Sequence, residues 1–240
     1  MSAPALRGIV FDLFDTLTPP AAQWSELPTT AATLGVTPET WDRALVESSR
    51  WRLVGEERDP YTILRRLATL IDPAIPDELV RRALDVRQQR FAQVFRRIPA
   101  GNLETLRRLR AAGYKLALLS NADAMEIAPF QAGLLKGLFD VEVFSCDAGH
   151  AKPEPAIFHA CLEALELPAS SCVFAGDGGS DELRAARSLG FRTVLVTGVL
   201  EAHWPDRVAA RGRDADHQVR WISGMLPWLG LAPIEESLTA

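Results

Sequence analysis

Cysteine is scarce in this chain of 240 residues, with only Cys146, Cys161 and Cys172 present. No two of them form a Cys-x-x-Cys pair, which argues against a disulfide framework and leaves them as small core residues. The four histidines show no zinc-type spacing. No uninterrupted apolar run approaches the roughly 20 residues needed to span a bilayer. The opening Met-Ser-Ala-Pro-Ala-Leu-Arg runs almost directly into a strand-like segment, leaving no room for a signal peptide, so a cytoplasmic location is expected. There is no excess of basic charge either. The formal net charge is −5, and despite local arginine clusters neither nucleic acid nor a membrane is an expected partner. Internal repeats and low-complexity segments are also missing. What remains is an ordinary globular composition, 48% hydrophobic and 24% charged. The length suits one large core, or a core with a smaller lobe, in a monomer or homodimer.

Five short apolar runs read as buried strands with little in–out alternation: Gly8–Phe14, Lys115–Ser120, Val141–Cys146, Cys172–Gly176 and Thr193–Thr197. Continuous apolarity over such lengths suits parallel strands covered on both faces. Helical patterns lie between them. Leu103, Leu106 and Leu109 define one, opened by Asn102 and closed by Gly113. Ile157, Phe158, Cys161, Leu162 and Leu165 define another, and a third runs from about Ser180 to Leu189. The alternation predicts an α/β fold, a doubly wound parallel sheet. The stretch from Thr18 to about Pro99 differs, for it holds helical patterns and no strand-like run. Pro38, Pro60 and Pro76 punctuate it near plausible helix starts. The expected organisation is an α/β core of residues 1–17 and 100–240, with a helical insertion over 18–99.

Ligands of open α/β sheets bind outside the carboxyl ends of the strands. Those ends carry Asp12 to Asp15, then Ser120 and Asn121, then Lys152 in a loop, then Gly176 and Asp177 with Asp181 beyond. Each alone reads as a turn or a helix cap. Together they place polar residues on one edge while the strands behind stay apolar. Clustered carboxylates are costly unless paired or metal-bound. A divalent metal together with Lys152 would balance Asp12, Asp177 and Asp181.

In this arrangement the chain resembles the haloacid dehalogenase-like hydrolase superfamily. Its first motif, a hydrophobic strand ending in Asp-x-Asp-x-Thr-Leu, is similar to the run from Ile9 through Asp12, Phe14 and Thr16 to Leu17. Its second matches Leu116 to Ser120 and Asn121, its third Lys152 to Phe158, and its fourth Gly176 to Asp181. The resemblance implies a Rossmannoid core with a helical cap after the first motif. It implies Asp12 as a nucleophile that forms an aspartyl-phosphate. Mg²⁺ would be held by Asp12, the Phe14 carbonyl, Asp177 and Asp181, all hard oxygen donors. Ser120 and Lys152 would act in catalysis, and these two with Asn121 would contact the phosphoryl group. The expected substrate is a small phosphorylated molecule.

One position departs from the pattern. Phe14 stands where phosphatases of the family carry a second Asp, which protonates the leaving group. Asp15 is one position off and, if strand geometry persists, points to the other side. The 2-haloacid dehalogenases of the same family also lack that Asp, carry an aromatic residue there and use no metal. The retained Asp177 and Asp181 favour the metal-dependent reading. Two alternatives stay open: a metal-free dehalogenase-like hydrolase, and a catalytically weak binding or regulatory protein. In the arginine-rich insertion, Arg50, Trp51 and Arg52 form a candidate substrate-contacting cluster, and His150 is a candidate rim residue.

Overall fold

The computed structural model describes residues 5–234. Six parallel strands form one sheet in the order β3-β2-β1-β4-β5-β6. They are β1 (Gly8–Phe11), β2 (Lys115–Ser120), β3 (Val141–Phe144), β4 (Cys172–Gly176), β5 (Arg192–Val196) and β6 (His217–Val219). The order reverses at β1, which lies between β2 and β4 with Ile9 opposite both Leu116 and Val173. The carboxyl end of β1 is therefore the switch point where a crevice opens.

The continuous apolarity of the strands has a direct cause. Successive residues point to opposite faces, and each face is covered. Ile9 and Phe11, Leu116 and Leu118, and Val173 and Ala175 enter one core layer. Their neighbours Val10, Ala117, Leu119 and Phe174 enter the other. The first layer is closed by Leu103, Leu106 and Leu109 of helix Ala100–Ala111. The second is closed by Ile157, Phe158 and Cys161 of helix Pro155–Leu165. All three cysteines are buried and free.

Between β1 and β2 the chain carries helices Thr30–Leu34, Pro38–Glu47, Ser49–Leu53, Pro60–Ile71 and Asp77–Val94. Their apolar faces meet in a third core that includes Trp41, Ile63, Leu64, Leu67 and Val80. Thr37 and Asp59 cap the helices that begin at Pro38 and Pro60, each accepting a backbone N–H. Among the described residues no helix is long and apolar enough to cross a membrane.

Several boundaries differ from those the sequence predicts. β1 stops at Phe11 rather than Phe14, because Leu17 and Thr18 both donate backbone N–H bonds to the Leu13 carbonyl and pull the chain into a turn. β3 ends at Phe144, where the short helix Ser145–Ala148 takes over. β6 went unseen because it is three residues long. Asn102 does not cap its helix. Pro99 takes that position, and the buried Asn102 amide donates to the Leu17 carbonyl at 2.9 Å.

Candidate active site

β1 delivers Asp12 to the centre of the sheet edge, where its backbone N–H still bonds Ala175 of β4 at 2.9 Å. The residue is buried, with its side chain 9% exposed. Both of its oxygens are held: Lys152 Nζ donates to Oδ1 at 2.5 Å, and Thr16 Oγ1 donates to Oδ2 at 2.9 Å. Thr16 thus does more than shape the turn. It fixes the rotamer of Asp12 from one side while Lys152 fixes it from the other.

Lys152 also donates to Glu182 Oε2 at 2.5 Å. Burial alone would lower the lysine pKa, but Asp12 and Glu182 beside it raise it above its ordinary value, so the ammonium stays charged. The Glu182 carboxyl is pushed up to about 8, by burial and then by the charges of Asp12 and Asp177, with Lys152 opposing. Gly176 makes this contact possible. A Cβ on Gly176 would lie 2.1 Å from Glu182 Oε1 and 3.1 Å from the Asp12 Cβ.

Asp12, Asp177 and Glu182 each present a carboxylate oxygen such that the three lie within 4.8 Å of one another. These are hard donors at a spacing that fits a small divalent cation. Asp181 is not in this group. Its side chain is exposed and bonds Arg184 at 2.6 Å. The reason is backbone geometry: Gly178, Ser180 and Asp181 all have left-handed φ values, of 79°, 52° and 54°. That loop turns Asp181 outward and brings Glu182, the first residue of helix Glu182–Ser188, inward. Sequence reasoning missed Glu182. The signal available was Gly176, whose lack of a side chain leaves room for it.

Ser120 ends β2 fully buried, and its Oγ has no hydrogen-bond partner among the described residues. Asn121 lines the cavity, but its amide is committed to the Lys152 backbone. Nδ2 donates to the Lys152 carbonyl at 2.9 Å, and Oδ1 accepts from the Lys152 N–H at 2.7 Å. Asn121 therefore positions the lysine loop.

A cavity of about 260 Å³ opens over Asp12 and is lined also by Phe14, Asp15, Lys152 and Asp177. The Phe14 ring packs 5.7 Å from Trp24, 6.0 Å from Phe91 and 6.4 Å from Phe95. Asp15 does not point away as strand alternation predicts. Its φ of 60° lies outside strand geometry and leaves the side chain lining the same cavity as Asp12. Burial, then the charges of Asp177 and Asp12, push its pKa up to about 7 against the opposing charge of Arg211. Trp204, Arg207 and Arg211 reach the cavity from the segment between β5 and β6. No motif in the sequence flags them.

An adjoining crevice of about 360 Å³ runs between Arg50 and Leu53 of the helical segment and the loop holding Lys152. The three candidate residues of that segment part company here. Arg50 lines the crevice and pairs with Glu154 at 2.5 Å. Trp51 lies under the Arg66 guanidinium, 3.8 Å from its ring centroid. Arg52 is buried on Asp123. His150 is exposed and does not line the crevice; it bonds Glu154, which does, at 3.0 Å.

Residues 6–190 match the family of haloacid dehalogenase-like hydrolases. The phosphoglycolate phosphatase of Pectobacterium atrosepticum is 29% identical over 227 residues, covering 88% of this chain and 91% of that protein. That of Pseudomonas savastanoi pv. phaseolicola is 30% identical over 142 residues, 58% of this chain. The chain spans about half, 52%, of that protein's length. The crystal structure of the L-2-haloacid dehalogenase RSc1362 superposes with a TM-score of 0.68 at 20% identity, covering 95% of this chain and 100% of the other. At that identity the likeness speaks for the fold.

Proposed function

Because the chain belongs to the family of haloacid dehalogenase-like hydrolases, we propose that it hydrolyses phosphate esters of a small metabolite, with Asp12 as the nucleophile. The observation that carries this reading is the pinned carboxylate of Asp12, held by Lys152 and Thr16 at the floor of an open cavity. A carboxylate oriented this way and facing substrate space is pre-positioned for in-line attack.

In the first step an Asp12 oxygen forms a bond to phosphorus and the bond from phosphorus to the alcohol oxygen breaks. The Lys152 ammonium neutralises charge on the nucleophile and on the transferring group. Ser120 Oγ, otherwise unpartnered, donates to a phosphoryl oxygen. Water then attacks the aspartyl-phosphate, releasing phosphate and restoring the carboxylate. Asp12, Asp177 and Glu182 would hold Mg²⁺, with the Phe14 carbonyl as a further donor. The cation would stabilise the negative charge of the phosphoryl group and relieve the repulsion among the three carboxylates. Phe14 offers no proton to the leaving alcohol, and the carboxyl group nearest that role on the same loop is Asp15. The helical segment over 18–99 serves as the cap, and the crevice at Arg50 and Leu53 receives the body of the substrate. The likeness to phosphoglycolate phosphatases supports a small phosphorylated acid.

A metal-free haloacid dehalogenase is the second reading, favoured by the aromatic Phe14 and by the fixed cations Lys152 and Arg211 in the cavity. One assay separates the two. The phosphatase reading expects p-nitrophenyl phosphate turnover that chelator abolishes and Mg²⁺ restores, with Asp12→Asn on the order of a thousandfold slower or worse. Chelator-resistant halide release from 2-chloropropionate would replace it with the dehalogenase.

A further inference from the structure

Arg211 ends helix Pro205–Arg211, far in sequence from every motif residue. Its Nη1 donates both to the main-chain oxygen of Asp177, at 2.9 Å, and to Asp177 Oδ2, at 2.5 Å. The pair is largely shielded from water, with side chains 19% and 13% exposed. The stem of the arginine lies across Gly178, where an added Cβ would stand 3.0–3.3 Å from its Cβ, Cγ and Cδ. Gly178 is also left-handed, at φ 79°. The loop is thus shaped to let this side chain lie across it.

The charges around the cavity show what the arginine balances. Lys152 is committed to Asp12 and Glu182. Asp177 has no bond to Lys152, and the only cation paired with it among the described residues is Arg211. Asp177 is also one of the three carboxylates whose oxygens lie within 4.8 Å of one another. A guanidinium and a divalent cation on one carboxylate repel each other whether or not they share an oxygen, and in a partly buried site water screens that repulsion weakly.

We propose that Arg211 is a built-in counter-cation for Asp177 that competes with the divalent metal and sets its affinity. The inference rests on the reading above, in which Asp177 is a metal ligand. The protein is held folded and charge-balanced before metal arrives, and metal entry must overcome or displace the arginine. Arg207, which lines the same cavity without bonding Asp177, has no such part.

Isothermal titration of the full chain with Mg²⁺ and with Mn²⁺ at pH 8 tests this, with folding checked by thermal melt. Arg211→Gln removes the charge, and its dissociation constant is expected to fall at least about tenfold relative to wild type. Arg207→Gln is expected to change affinity less than twofold. Arg211→Lys keeps the charge on a shorter side chain that pairs with Asp177 less closely, so an intermediate tightening is expected. This variant carries the test if Arg211→Gln fails to fold. Wild type that binds metal while the Arg211 variants bind equally or more weakly would overturn the inference and leave the metal site standing. Absence of binding in wild type and in both Arg211 variants would remove the metal site and the inference together.

Discussion

Arg52 donates to the Asp123 carboxylate at 2.8 Å across 71 positions of sequence, with the two side chains 6% and 0% exposed. Asp123 lies three residues beyond Ser120, the last residue of β2, and it caps helix Ala124–Ile127 in a capping box with Glu126. Glu126 in turn accepts from Arg87 at 2.7 Å. The helical segment is therefore bolted to the segment that follows Ser120 by buried ion pairs, rather than resting on it through apolar contact alone.

Breaking one side of such a pair leaves a buried charge unmatched. Arg52→Met is expected to lower stability by about 3–5 kcal/mol. Arg50→Ala removes a pair whose arginine is 70% exposed, and it should cost at most about 1 kcal/mol. Urea unfolding of both variants checks the contrast. Equal losses would mean that burial is not what gives the Arg52 pair its weight.

Phe14 bears on the leaving group. General acid catalysis is typically worth ~10²–10⁴ in rate, so with a phenyl ring at this position aryl phosphates should be turned over far faster than alkyl phosphates. Steady-state rates on p-nitrophenyl phosphate and on a sugar phosphate measure the gap. Asp15→Asn should widen it if that carboxyl group supplies the proton, and leave it unchanged if not. Phe14→Asp places a carboxyl group among Trp24, Phe91 and Phe95. It should raise alkyl-ester activity while lowering stability by roughly 2–3 kcal/mol. A variant as stable as wild type would mean that the aromatic cluster contributes little.

Gly55 brings the backbone of the helical segment against the Cys146 carbonyl. It has φ 73°, and a Cβ there would lie 2.1 Å from the Cys146 carbonyl oxygen. Gly55→Ala should therefore cost more than the roughly 1 kcal/mol that a left-handed alanine pays by itself. It should also loosen the neighbouring contact of Arg58 with the Cys146 carbonyl, at 2.8 Å. Hydrogen exchange over residues 49–59 should rise in the variant. Unchanged protection there would show that the backbone absorbs the methyl group by shifting.

Cys161 gives a pH dependence with a definite sign. Burial, and then the neighbouring Cys172, push its thiol up to about 12 from an ordinary value of 9.0. The folded state therefore holds this proton more tightly than the unfolded chain does. Its contribution is fully present below pH 9 and is lost as pH rises toward 12, at up to about 1.4 kcal/mol per pH unit. Between pH 8 and pH 10 wild type should lose about 1 kcal/mol more than Cys161→Ala, read from urea midpoints. Parallel losses would place the alkaline instability elsewhere.

By itself the sequence determined the layered α/β architecture, because a strand buried on both faces has to be apolar at every position. Runs such as Gly8–Phe11 and Cys172–Gly176 satisfy that condition. It determined Asp12, Ser120, Lys152 and Asp177 as the residues of one edge, because each follows such a run or the loop after it. The tertiary structure alone decided which neighbouring side chains turn inward. Alternation fails once the backbone goes left-handed, so Asp15 lines the cavity, while beyond Asp177 it is Glu182 that joins the carboxylates and Asp181 that faces out. It also decided what reaches the edge from a distance. Arg211 meets Asp177 across 34 positions, and Arg52 meets Asp123 across 71. No local pattern encodes such pairings, because they arise only when separate helices pack on the same sheet.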